Sequence, residues 1–359
     1  MNTIEHDALD FEEYFDQQQV DSAKVKRASQ WVDAVVDRFH GKTTEASWTP
    51  MGFNKAAGKF DIRPGEVTIW AGINSHGKTT FLSHVMLNVM QGKATACLAS
   101  LEMPPAVSMA KMVRQASGIE RPSEAYIRSF HRWTDDRLWI YDHVGKVEPK
   151  RMLAIATYVR KELKIDHLVI DSLMKCGIGT DDYTAQKDFV DGLCTIAKDT
   201  GLHVHLVCHM RKGESERKAP EKFDVKGAGE ITDLVDNLVI VWKNQRKHEE
   251  MQEAERESDE AHRNGLLTQL RLKPDAYVRV AKQRATGWEG ALTFWFDKAS
   301  EQFTEAPFSR PNWIDTGEDL NAVEKVEDEP FVFPDVEAWE LPPPSRAPAR
   351  AFAEGGRHA

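Results

Sequence analysis

Residues 67–80 read VTIWAGINSHGKTT. An apolar strand runs into a G-x-x-x-x-G-K-T loop. After it Phe81, Leu82, Val85, Met86, Val89 and Met90 share one helical face before Gly92. Strand, glycine loop and helix in this order form the context of a phosphate-binding loop. Gly72 and Gly77 let the backbone wrap a polyphosphate, and the helix N-terminus offers unpaired N–H groups. Lys78 is expected at the β- and γ-phosphates, and the Thr79 hydroxyl on Mg2+. Gly72, Ile73, Asn74, Ser75, His76, Gly77, Lys78, Thr79 and the adjacent Thr80 are thus the expected site for ATP, or another NTP or dNTP, with Mg2+.

Outward from this loop the chain alternates short apolar strands with helices. The segments ATACLAS, HLVIDS, HVHLVCH, NLVIVWKN, YVRVAKQ and ALTFWF follow in order. The early ones are almost wholly apolar, as in a parallel sheet covered on both faces. The last two are close together and predict an antiparallel hairpin at the end of the sheet. Between them and NLVIVWKN, residues 245–275 are heavily charged and predict an exposed helical excursion. Before the loop, residues 22–40 place Val25, Trp31, Val32, Val35, Val36 and Phe39 at helical spacing, an apolar stripe that needs a partner. No internal repeat is present.

Two acids qualify as partners of the phosphate loop. Asp171 ends the apolar strand HLVIDS, where a carboxylate is costly to bury unless a cation or hydrogen-bond donors meet it. It is expected to complete the metal site; a strand-end cap on the next turn is the plainer alternative. Glu102 follows the next strand, at the sheet edge where ligands collect in such folds. It can polarise the water that attacks the γ-phosphate, although on its own it would read as a surface acid.

The net charge of −10 argues at first against a nucleic-acid partner, but its distribution reverses the point. Residues 1–21 carry −7, residues 311–345 carry −9 and residues 346–359 carry +2, which leaves +4 for residues 22–310. A mildly basic centre is compatible with DNA or RNA. Cys97, Cys176, Cys194 and Cys208 form no CxxC pair, which excludes a disulfide scaffold and a zinc knuckle. No apolar run reaches the roughly 18 residues of a membrane span, and the acidic N-terminus is unlike a signal peptide. A cytoplasmic protein with no membrane partner is expected. After about residue 310 the composition turns acidic and Pro-rich, as in a disordered tail.

The ordered set GINSHGKT, ASLEM, HLVIDS, LVCHMRKG, DVKGAGEITDLVDNLVIVW and VAKQRATGWEG resembles the RecA-like motor of DnaB-type hexameric replicative helicases, and most of all that of phage primase–helicases, over residues 48–305. The resemblance implies an α/β RecA-like P-loop NTPase with a mainly parallel sheet flanked by helices. It divides the chain into an acidic arm with a subunit-linking helix (1–45), a motor domain (46–310) and a disordered acidic tail (311–359). It implies a homo-oligomer, a six-membered ring that moves along single-stranded DNA and unwinds duplex using NTP, in a host cytoplasm if phage-encoded. Carried over by position, Glu102 would activate water and Asp171 would complete the Mg2+ site. His209, ending HVHLVCH, would sense the γ-phosphate, unless it is simply a strand-end histidine bonded to a carbonyl; its being His is similar to the phage type.

Lys282 and Arg284 lie two apart on a strand and so share a face. Two cations there cannot stay unpaired in an interior. A neighbouring subunit's triphosphate would satisfy both, as arginine fingers do; a solvated edge strand is the bland alternative. The DNA-facing candidates are the loop after Asp171, Met174 to Lys187, and the segment 210–231 with Arg211, Lys212, Lys226, Gly227 and Gly229, suited to phosphate tracking without base readout. The acidic tail, with Trp313, Phe331, Phe333 and Trp339, is expected to contact a replicative polymerase or primase, or else only to keep the protein soluble. No primase section is expected. The excursion at 245–275 is longer than the resemblance requires. Other readings of the phosphate loop are a RecA-like recombinase and a KaiC-like assembly ATPase.

Overall fold

The computed structural model describes residues 2–5, 28–33, 36, 49–179, 181–210, 220, 224–225 and 228–316. In chain order the strands are β1 (Asn2–Glu5), β2 (Thr49–Pro50), β3 (Asp61–Ile62), β4 (Val67–Gly72), β5 (Ala96–Ser100), β6 (Leu138–Asp142), β7 (His167–Asp171), β8 (His203–His209), β9 (Asn237–Lys243), β10 (Ala276–Gln283), β11 (Gly290–Asp297) and β12 (Gln302–Thr304). The helices are α1 (Lys78–Gln91), α2 (Pro105–Ser117), α3 (Glu124–Thr134), α4 (Pro149–Lys161), α5 (Tyr183–Thr200), α6 (Ala228–Leu234), α7 (Gln245–Ala254) and α8 (Glu260–Leu272).

Ten strands form one sheet in the order β1-β6-β5-β7-β8-β4-β9-β10-β11-β12. From β1 to β9 neighbours run parallel, whereas β10, β11 and β12 are added antiparallel. The two-period of a strand sorts the core into two layers. Along β4, Val67, Ile69 and Ala71 face the layer that holds Met152 of α4 and Phe189 of α5. Trp70 faces the other, with Phe81, Val85 and Met86 of α1. All six residues of β4 and all five of β7 are buried, as expected for parallel strands covered on both faces. Helix α1 buries every apolar residue assigned to its inner face, with His84 and Leu87 in addition.

Five strands go beyond the sequence reading: β1, β6 and β12 of this sheet, and β2 and β3, which pair with each other. Strand β6 (LWIYD) is short and only half follows an apolar pattern, since Trp139 is half-buried and Asp142 exposed. The hairpin β10–β11 forms as expected, but β10 also pairs antiparallel with β9. The excursion is two mostly exposed helices, α7 and α8. Its root is stapled: the Asn244 side chain caps α7 and donates to Pro274 O at 2.9 Å, and Lys247 Nζ lies 2.6 Å from Asp275 Oδ1. Of the helix expected over 22–40, the described part is helical at Ala28–Trp31 and beyond, with Val32 and Val36 exposed; Val25, Val35 and Phe39 lie outside the described residues.

The tail boundary drawn at 311 is corrected. Ile314 is buried, its N–H donates to Ala116 O at 2.7 Å, and its carbonyl accepts from the Tyr126 hydroxyl at 3.2 Å. Residues 311–316 therefore pack on α2 and α3; the remainder of the expected tail lies outside the described residues.

The end of the sheet opposite the phosphate loop holds three buried histidines. His203 Nδ1 donates to Arg63 O (2.6 Å), so its Nε2 accepts from the Thr68 hydroxyl (2.9 Å). Trp70 Nε1 donates to His205 Nδ1 (3.1 Å), which leaves His205 Nε2 to donate to His167 Nδ1 (3.3 Å). Each ring is thereby assigned one neutral tautomer. Burial lowers His203 to about 4 and His167 to about 3, and holds His205 well below its ordinary value. On α1, His84 is likewise lowered to about 4 by burial and accepts from Phe303 N (3.2 Å).

Candidate active site

The parallel register brings the C-terminal ends of four strands level. Gly72 of β4 pairs with His209 of β8, and Ser100 of β5 with Asp171 of β7. Side chains leaving these ends converge on the loop 72–79, which joins β4 to α1. A Cβ on Gly72 would lie 2.4 Å from Val241 O and 3.0 Å from Lys78 Cγ, so no larger residue fits between β9 and the lysine stem. Ser75 and Gly77 take φ values of 63° and 85°, the left-handed conformations that bend the chain around a central space.

Lys78 arches back over this loop. Its Nζ donates to Gly72 O and Ile73 O, each at 3.0 Å. Burial pushes its pKa down, while the carboxylates of Asp171 and Glu102 pull it up again. Thr79 Oγ1 donates to Asp171 Oδ2 at 2.6 Å. Burial raises the Asp171 carboxyl above its ordinary value; the Thr79 bond opposes this, Glu102 adds to it, and Lys78 and Lys111 counter it. A buried carboxylate beside a hydroxyl and an ammonium is the arrangement a cation would relieve. Ile73 and His76 are buried, Asn74 and Ser75 exposed, and Thr80 half-buried.

Glu102 stands across the site. The Ser172 hydroxyl donates to its Oε1 at 2.7 Å, and His209 Nε2 lies 3.5 Å from the same oxygen. Burial raises this carboxyl, but the Ser172 bond, the charge and hydrogen bond of His209, and Lys175 together bring it below its ordinary value. Glu102 is therefore an ionised carboxylate at neutral pH, in reach of His209. Sequence reasoning does not single out Ser172, which follows Asp171 through a cis peptide bond, and it reaches Lys175 only as part of the loop 174–187 expected to face DNA.

Two backbone links extend from the loop. Met210 N, directly after His209, donates to Gly72 O at 3.1 Å, and Met210 bridges antiparallel to Val225. Met210 and Val225, which flank the basic segment, thus meet beside the phosphate loop. On the other flank, His76 Nδ1 accepts from Lys243 N at 3.2 Å, which ties the loop to the root of α7. Of the DNA-facing candidates, Arg211, Lys212, Lys226 and Gly227 lie outside the described residues, and Gly229 is the second residue of α6.

Lys282 and Arg284 are not in this cluster. β10 runs antiparallel to β9, and Lys282 pairs with Leu238, near the start of β9. They stand toward the opposite end of the strands from Gly72: Leu238 is level with Ile69, which puts Lys282 roughly 10 Å away along the strands and Arg284, two residues further on, roughly 17 Å. Within the chain both cations already have partners. Lys282 Nζ donates to Thr232 O, Asp233 O and Val235 O, and Arg284 donates to Asp233 O and pairs with Asp236 at 3.7 Å. The carbonyls at the end of α6 supply what the strand pattern left blank.

Comparison with known proteins agrees with this geometry. The AAA domain family pattern matches residues 26–215, more than half of the 359-residue chain. A DNA helicase/primase of Enterobacteria phage T3 is 26% identical over 258 residues, 62% of this chain and 45% of that protein; the chain thus spans less than half of that relative's length. Among solved structures, one described as an ATPase domain aligns with a TM-score of 0.63 at 16% identity, covering 78% of this chain and 99% of that one. A DnaB-like replicative helicase, described with its interactions with primase, aligns with a TM-score of 0.60 at 15% identity over 78% of this chain and 67% of that one. These likenesses bear out the RecA-like α/β architecture with its mainly parallel sheet. With the phosphate loop, the strand-end carboxylates and a family match over more than half its length, this chain belongs to the AAA domain family.

Proposed function

We propose that this chain is the motor of an NTP-driven replicative DNA helicase, acting as a homo-oligomeric ring, six-membered by resemblance, that tracks single-stranded DNA. The observation that carries this reading is the backbone bond from Met210 to Gly72. It joins the phosphate loop directly to the neck of the basic segment expected to touch DNA.

The chemistry follows from residues already described. Lys78 neutralises charge on the β- and γ-phosphates of ATP or another NTP. The Thr79 hydroxyl and Asp171 carboxylate converge to 2.6 Å, a pair of hard oxygens that fits Mg2+, which keeps most of its ligands as water and phosphate. Bound there, Mg2+ would screen the phosphate charge in the transition state. Glu102, held ionised by Ser172, orients and deprotonates the attacking water. His209, between Glu102 and Met210, relays the presence of the γ-phosphate to the basic segment through Met210. Arg284 lies too far from its own phosphate loop to act there, and serves the loop of the next subunit. That placement makes hydrolysis depend on assembly. The domain division is 1–45, a motor to residue 316, and an acidic tail that offers aromatic anchors to a replicative polymerase or primase.

The test combines hydrolysis, unwinding and imaging. Single-stranded DNA should stimulate ATP hydrolysis, forked duplex should be unwound, and electron microscopy with ATP and single-stranded DNA should show rings. Lys78→Ala should abolish all turnover. Arg284→Ala subunits should regain activity when mixed with Lys78→Ala subunits, because one interface then joins an intact loop to an intact finger. Filaments with strand exchange, or hydrolysis indifferent to DNA, would refute the reading.

A further inference from the structure

Lys282 and Arg284 differ in what they can still do. An ammonium has three N–H donors, whereas a guanidinium has five. Lys282 Nζ meets three backbone carbonyls, Thr232 O at 2.8 Å, Asp233 O at 2.9 Å and Val235 O at 2.7 Å. These belong to the end of α6, where helical carbonyls lack partners within the helix and the dipole favours a cation. To reach a triphosphate, Lys282 would have to abandon three short bonds and strip the helix end. The Arg284 side chain meets α6 at Asp233 O and, beyond the helix, Asp236 in a longer 3.7 Å pair, and it is 44% exposed.

Helix α6 sits between two functional points. Its N-terminus follows the basic segment, whose neck at Met210 and Val225 is bonded to Gly72, and Glu230 in its first turn pairs with Lys187 of α5 at 3.3 Å. Its C-terminus rests on Lys282, two residues from Arg284. We propose that Lys282 is a positioning residue that ties the end of α6 to the strand bearing Arg284, while Arg284 alone reaches the neighbouring subunit's phosphates. This rests on the helicase reading above. It assigns the two cations different tasks, although their spacing makes them look like a matched pair.

The test uses the full chain with Lys282→Met, Lys282→Arg, Arg284→Ala and the Lys282→Met/Arg284→Ala double variant. In nucleotide-free protein, Lys282→Met should speed amide hydrogen exchange over residues 228–236 by about tenfold or more, and Arg284→Ala by less than about threefold. In DNA-stimulated hydrolysis, Lys282→Met should lower kcat with KM for ATP within about twofold of wild type. The double variant should fall within about threefold of Arg284→Ala alone, because Lys282 acts through Arg284. Lys282→Arg, which can still donate to the carbonyls, should retain both the exchange protection and most of the activity. Losses that multiply in the double variant would place Lys282 on the phosphates themselves and overturn the proposal. So would unchanged exchange, or fast exchange with wild-type kcat, which would make Lys282 a cap and nothing more. If Arg284→Ala hydrolyses ATP as wild type does, the finger reading fails and this proposal with it; the exchange arm then shows separately whether Lys282 holds α6.

Discussion

The four buried histidines make a sharp forecast of acid sensitivity. His84, His167, His203 and His205 are neutral in the fold, with values of about 4, about 3, about 4 and, for His205, well below normal. Protonating His203 Nε2, His205 Nδ1 or His84 Nδ1 would set a donor against the donors of Thr68, Trp70 or Phe303. Because their folded values are depressed, the stability they contribute is complete above the ordinary value of 6.5. It is lost as pH falls below that value, where the unfolded rings take up protons and the folded ones do not. Between pH 7 and pH 5 each ring shifts the balance toward unfolding by about 2 kcal/mol. Four rings together reach about 8 kcal/mol, comparable with the roughly 5–15 kcal/mol that hold an ordinary domain together. Glu66 and Asp171, whose carboxyls burial holds up, run the other way and offset part of the loss. Urea unfolding followed by tryptophan fluorescence at pH 7, 6 and 5 gives the slope. The expected slope below pH 6 approaches four protons, roughly 5 kcal/mol per pH unit before the carboxyl offset. A slope under about one proton would mean that the rings accept protons inside the fold, and the tautomer assignments would be wrong.

Other perturbations bear on the site and its borders. Glu102→Gln should keep nucleotide affinity but slow hydrolysis by about 100-fold or more, read by single-turnover kinetics; lost binding would make Glu102 structural. Ser172→Ala removes the bond that lowers the Glu102 carboxyl, so the acid limb of the hydrolysis pH profile should move to higher pH, and an unmoved limb would detach Ser172 from Glu102. Gly72→Ala drives a methyl against Val241 O and Lys78, and equilibrium dialysis should show ATP binding lost from a chain that still melts cooperatively. Truncation after Ser309 deletes buried Ile314 and should lower stability by about 2–3 kcal/mol, whereas truncation after Thr316 should leave the melting curve unchanged.

What can be read from sequence is what rests on local pattern. VTIWA with G-x-x-x-x-G-K-T and HLVID each hold their signal within a few consecutive residues, and both fold as read. LWIYD at β6 escapes such reading because its pattern is diluted by a half-buried Trp139 and an exposed Asp142. The partners of Lys282 lie about 50 positions away on α6, and no strand periodicity reports them. Ile314 falls within the expected tail because one buried apolar residue amid polar neighbours carries no periodicity. Ser172 acts through a 70-residue separation from Glu102, visible only once β5 and β7 are paired.

The two margins of the great sheet are occupied by very short pieces of chain, four residues of β1 on one side and three of β12 on the other. A long unpaired margin is a template on which another copy can add strands without limit. Among the described residues β1 covers four of the five residues of β6, and β12 covers Trp295–Asp297 of β11, which leaves Gly290–Phe294 as the longest stretch beyond the last strand. Copies of this chain that gather at high local concentration find little edge at either margin on which to add strands. The fold can crowd its own copies together without seeding a runaway stack.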